Sequence, residues 1–78
     1  MDVRTTAEFQ GGHVAGSINI SLQDLPNQLD KVKSLEQPLV LCCASGGRSG
    51  MATQMLQSEG LECYNGGPWL TVNNMVAK

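Results

Sequence analysis

The sequence predicts an α/β domain with a small, mostly parallel sheet flanked by helices, and three observations carry that expectation. Leu39-Val40-Leu41-Cys42-Cys43, opened by Pro38, is an unbroken apolar run of the length of a parallel strand buried on both faces. That run passes through a loop of small residues, Ala44 to Gly47, straight into a helical pattern. Along the rest of the chain, short apolar segments alternate with segments of helical period, the order that builds parallel sheets.

In chain order, Asp2-Val3-Arg4 reads as the end of a strand. Thr5 to Glu8 has the spacing of a capping box, with Thr5 at the N-cap and Glu8 three residues on. Gly11-Gly12 stops this short helix. Ser17-Ile18-Asn19-Ile20 alternates like a brief strand. Leu22, Leu25, Leu29 and Val32 recur at three- and four-residue intervals, which predicts short helical segments interrupted at Pro26. After the strand at 39–43, a helix is expected from Arg48 or Ser49, with Met51, Ala52, Met55 and Leu56 on its core face and Gly60 as its C-cap. Leu61 to Tyr64 is a second short strand and Asn65-Gly66-Gly67 a turn. Pro68 suits the first turn of a last helix.

At 78 residues the chain is expected to form one domain, 1–78. It has one Phe, one Trp and one Tyr, so Leu, Val, Ile and Met must supply the core. A net charge of −2 without a block of like charges argues against nucleic acid as a partner. No run approaches the length of a membrane span, and MDVR does not open like a signal peptide. Three cysteines, an odd number, exclude a complete disulfide framework. The expectation is therefore a reduced, cytoplasmic monomer, periplasmic only if a leader has been removed. No metal or cofactor is called for.

The chemistry concentrates in CCASGGRSG, Cys42 to Gly50. Counted from Cys43 the spacing to Arg48 is C-x-x-x-x-R. Counted from Cys42 it is C-x-x-x-x-x-R, the spacing of a cysteine phosphatase. Strand, glycine-rich loop and helix together make an anion cradle, because small residues let successive N–H groups point inward and the helix start adds partial positive charge. A cysteine at the strand end places its sulfur in that cradle, which favours the thiolate without a histidine base. Arg48 at the far lip can hold the loop closed or bind an oxyanion with both teeth of its guanidinium. Against this stands a bland alternative, a buried cysteine that ends a strand before a glycine turn, and the full series of strand, cysteine, loop, arginine and helix favours the functional reading.

LVLCCASGGRS resembles the active-site loop of the rhodanese-like sulfurtransferases. DVRTTAEFQGGHVAGSINI is similar to that family's N-terminal signature, and YNGGPW to its Gly-Gly turn before the last helix. The match covers nearly the whole chain in order and is nearest the small single-domain phage shock protein E type. The resemblance implies a three-layer fold with Cys43 as catalytic nucleophile and Ala44, Ser45, Gly46, Gly47, Arg48 and Ser49 binding the substrate. It implies thiosulfate:cyanide sulfur transfer, in which a thiosulfate-like donor loads a persulfide on Cys43 and a thiol or cyanide removes the sulfur.

Phosphatases related to this family use a loop one residue longer, which Cys42 would fit, so a small phosphatase or arsenate reductase is the rival enzyme. A silent interaction module is the third reading. Register favours Cys43, since a shift of one residue turns a strand side chain to the opposite face. By the same resemblance His13 is a packing residue of its turn. Asp2 and Arg4 are expected to pair near the loop, and Glu8 is explained by the capping box. Cys63, Met51 and Met55 are expected in the core, and Trp69 is a candidate wall of the site. Family members carry a further strand before Asp-Val-Arg, so an edge strand is expected to be lost here.

Overall fold

The apolar run at 39–43 forms strand β1 (Leu39–Cys43), which pairs in parallel with β2 (Cys63–Pro68). The structure is a computed structural model and describes residues 1–76. Around the two strands lie α1 (Thr6–Gln10), a 3-10 turn (Leu25–Asn27), α2 (Leu29–Lys33), α3 (Gly47–Ser58) and α4 (Trp69–Val76). The two segments expected as strands near the N-terminus contract to single parallel bridges, Asp2 to Asn19 and Asp2 to Cys42. Val3 donates to the Cys42 carbonyl at 2.9 Å and Ile20 to the Asp2 carbonyl at 3.0 Å, but at Thr5 the chain already turns into the cap of α1 and the ladder stops.

β1 alternates as a strand covered on both faces must. Leu39, Leu41 and Cys43 join the main core with Ala52 and Leu56 of α3. Val40 and Cys42 point the other way, into a groove shared with Val72 of α4. Gly66 makes that second layer possible. A Cβ there would come within 2.8 Å of both Val40 Cγ1 and Val72 Cγ2, so any larger residue would push α4 off the sheet.

Several local expectations hold. The capping box of α1 is complete in both directions, and Gly11 follows as its C-cap. The helical region is interrupted at Pro26, which sits in the 3-10 turn, with Leu25 and Val32 on either side fully buried. Past Ser58, Gly60 takes φ +82°. Its N–H reaches the Gln57 carbonyl and the Leu61 N–H reaches the Leu56 carbonyl, the paired bonds of a Schellman ending.

Three expectations are corrected. Met51 is 62% exposed and lies outside the core. The inward stripe of α3 is Ser49, Ala52, Thr53 and Leu56, at i, i+3, i+4 and i+7, and Met55 only flanks it. The helix also begins one residue early, at Gly47. Asn65-Gly66-Gly67 lies within β2, which runs on to Pro68. The register jumps from Leu41↔Asn65 to Cys42↔Gly67, so Gly66 is the extra residue of a bulge and α4 starts only at Trp69.

Candidate active site

Cys43 closes β1, and its sulfur lies at the floor of the loop that follows. The Gly46 N–H donates to Cys43 Sγ at 2.9 Å, and Ser49 Oγ lies 3.4 Å from the same sulfur. Gly46 turns the loop inward with φ +103°, a conformation that side chains rarely adopt. It also sits so close to the bulge that a Cβ would stand 3.3 Å from Gly67 Cα. Loop and bulge are thus fitted to one another.

The electrostatics single out one sulfur. Burial pushes the Cys43 thiol up, but the Ser49 hydroxyl and the amides of Ser49, Gly46 and Ser45 together outweigh it and bring the thiol down to about 7. Burial pushes Cys42 up, with the neighbouring Asp2 charge adding to it, and burial alone raises Cys63. Of the expected loop residues, Ser45, Gly46 and Ser49 therefore act on the sulfur, while Ala44 and Gly47 form an exposed rim. Cys42, the cysteine that would satisfy the longer spacing, faces the opposite side of the sheet.

Arg48 holds the loop closed. Its Nη1 and Nη2 donate to Glu8 Oε1 and Oε2 at 2.7 and 2.9 Å. The Thr5 N–H and hydroxyl both reach Glu8 Oε1 at 3.1 Å, so the cap of α1 also aims the carboxylate at Arg48. Glu8 therefore does more than cap. The Arg48 fork, followed by the Thr5 amide, holds its carboxyl down to about 2.

Behind the loop, Asp2 and Arg4 form the expected pair, fully buried, with Arg4 Nη2 at 2.7 Å from Asp2 Oδ2 and donating also to the Gly12 carbonyl at 2.7 Å. Trp69 packs against Arg4 of this pair: its ring lies 4.8 Å from Arg4 Cζ and abuts Gly12. His13 stacks on Phe9 at 3.8 Å with Nδ1 at 2.8 Å from the Phe9 carbonyl, a packing role at the end of α1. Cys63 sits in the core.

Asn65 is the residue that the sequence does not single out. Its Oδ1 accepts from Ser49 Oγ at 2.6 Å and from the Gly67 N–H at 2.9 Å, and its Nδ2 donates to the Gly46 carbonyl at 3.1 Å. One amide thus ties together the loop, the first turn of α3 and the bulge of β2. In the sequence it reads only as a turn former before two glycines, and no local signal separates the two roles.

Comparison with known proteins agrees with this architecture. The Rhodanese-like domain profile matches residues 1–67. The uncharacterized protein YqhL of Bacillus subtilis is 39% identical over 66 residues, covering 83% of this chain and 52% of that one. The uncharacterized protein slr1261 of Synechocystis is 40% identical over 63 residues, 80% of this chain and 34% of that protein. The chain thus spans about half or less of the length of these curated relatives. Among solved structures, reduced Bacillus anthracis CoADR-RHD superposes with a TM-score of 0.82 at 31% identity, over 96% of this chain and 13% of that one. A rhodanese-related protein of Thermoplasma volcanium gives 0.78 at 31% identity, over 97% and 75%. The α/β fold, the parallel pairing and the profile over most of its length agree: this chain belongs to the Rhodanese-like domain family.

Proposed function

We propose that this chain is a sulfurtransferase that carries a sulfane sulfur on Cys43. The observation that supports it most is the sulfur at the loop floor, hydrogen-bonded by Gly46 and brought down to about 7. A thiolate is thereby available near neutral pH through a hydroxyl and backbone amides, without calling on a histidine base. With thiosulfate as donor, the Cys43 thiolate attacks the outer sulfur, the sulfur–sulfur bond breaks and sulfite leaves with the electron pair. The resulting persulfide anion has its terminal sulfur in the cradle. An acceptor thiolate or cyanide then attacks that sulfur, leaving as a persulfide or thiocyanate and restoring the Cys43 thiolate.

The test is intact mass after prolonged incubation with thiosulfate, followed by cyanide. One added sulfur atom is expected on the parent and on Cys42→Ser, none on Cys43→Ser, and cyanide should remove it. Loading that survives Cys43→Ser but is lost with Cys42→Ser would overturn the assignment. So would turnover of an aryl phosphate or arsenate clearly above sulfur transfer.

A further inference from the structure

The charges around the loop say which sulfur donor it suits, given the sulfurtransferase reading above. Thiosulfate presents a doubly charged oxyanion, and binding one in a loop of this size calls for a cation with free donors. Among the described residues no unpaired cation borders the loop. Arg4 is buried against Asp2 and Gly12, and Lys33 pairs with Glu59 at 3.6 Å. Lys31 lines a neighbouring cleft together with Asp24 and does not border the loop. Arg48 alone borders the loop, and both teeth of its fork grip Glu8. That carboxylate is anchored by two bonds from Thr5, and because it is held down to about 2 it stays ionised wherever the protein works. A sulfonate could take the fork only by displacing a fixed carboxylate, or by lying beside it as a second negative charge.

Arg48 also lines a cavity of about 450 Å³. Val3 and Leu22 supply its apolar surface, and Thr5, Thr6, Ser21 and Gln23 supply neutral polar groups. Apart from the paired Arg48 it contains no charge, so it suits a small uncharged organic body. We propose that Glu8 is a built-in competitor for the Arg48 fork, and that the site takes a small organic persulfide, R–S–SH, in preference to an oxyanion donor such as thiosulfate. The terminal sulfur of a persulfide needs only the amide cradle. The Cys43 thiolate attacks that sulfur, the donor S–S bond breaks, R–S⁻ leaves, and Cys43–S–SH forms. No oxidant or reductant is required.

Rapid-quench mass spectrometry of Cys43 loading tests this, with thiosulfate and with the persulfide of N-acetylcysteine methyl ester, a donor whose organic body carries no charge. The parent should load at least about tenfold faster from the persulfide at equal concentration. Glu8→Gln keeps a cap acceptor for Thr5 but removes the competing charge, and should raise loading from thiosulfate enough to narrow the donor ratio about fivefold or more. Equal loading of the parent by both donors overturns the proposal while leaving sulfur transfer standing, and so does a ratio that Glu8→Gln leaves unchanged. Failure of both donors to load Cys43 overturns sulfur transfer itself and this inference with it. If Glu8→Gln does not fold, the donor ratio of the parent decides alone.

Discussion

At Cys43 two opposing effects meet: burial favours the neutral thiol, while one hydroxyl and three amides favour the thiolate and prevail. Since hydrogen bonds to the charged form lower an acid's pKa, removing a donor must raise it. Alkylation of the parent by iodoacetamide should therefore follow a single inflection at about 7 and modify Cys43 only. Ser49→Ala should move the inflection upward, towards the ordinary thiol value. Modification of Cys42 or Cys63 ahead of Cys43 in peptide mapping would contradict this, because burial pushes both of those up. Asn65 holds Ser49 Oγ and the Gly46 carbonyl at once, so Asn65→Ala frees a hydroxyl and loosens the amide that faces the sulfur. The expected result is sulfur loading slower by about tenfold, with a stability loss of about 1 kcal/mol by denaturant titration. Cys43 and its loop were legible because strand end, loop and helix start are contiguous in the chain. Asn65 was not, because its partners at 46, 49 and 67 meet only through the bulge of β2.

Elements whose signals are local read correctly from sequence. The cap of α1, the break at Pro26, β1 and the Schellman end of α3 each depend on residues within one or two turns of one another. What failed depends on tertiary facts. Met51 looked inward from spacing alone, but the direction of the α3 stripe is set by how the helix lies on β1 and β2. The two N-terminal strands shrank because Thr5 caps a helix where a longer ladder would need extended chain. Between elements, the Arg48–Glu8 fork fastens α3 to α1 across 40 residues of sequence. Lysine keeps the charge but cannot match both carboxylate oxygens. Arg48→Lys should therefore slow loading of Cys43 by about tenfold from either donor while far-UV circular dichroism stays that of the parent. Loading at the parental rate would show that charge alone suffices there.

For the molecule as a whole, stability hangs on a small core and on one ion pair inside it. Asp2 is fully buried and carries Arg4 through both carboxylate oxygens and its own backbone turn. Removing one partner of a buried pair strands the other charge, at about 3–5 kcal/mol. Against a total stability of about 5–15 kcal/mol, Asp2→Ala should leave the domain unfolded or melting far below the parent by calorimetry. The Asp-Val-Arg pattern announced this pair. The reason for burying it does not show in sequence: Asp2 bridges Asn19 and Cys42 at once and is fully buried, while its partner Arg4 stacks against Trp69.

The alternation of β1 has one more effect, on where a loaded sulfur can travel. Cys42 is next to Cys43 in the chain but opens on the other face of the sheet. Cys63 pairs with Leu39, four positions back along β1, about 13 Å away at the rise of a strand. These are the chain's remaining thiols. Neither is placed to attack Cys43 Sγ, the inner sulfur of the persulfide, which would close a disulfide and expel the outer atom as hydrosulfide, or to take the outer atom itself. The cargo would thus stay parked until an outside molecule collects it, and its dwell time would be set by how often such a collector arrives.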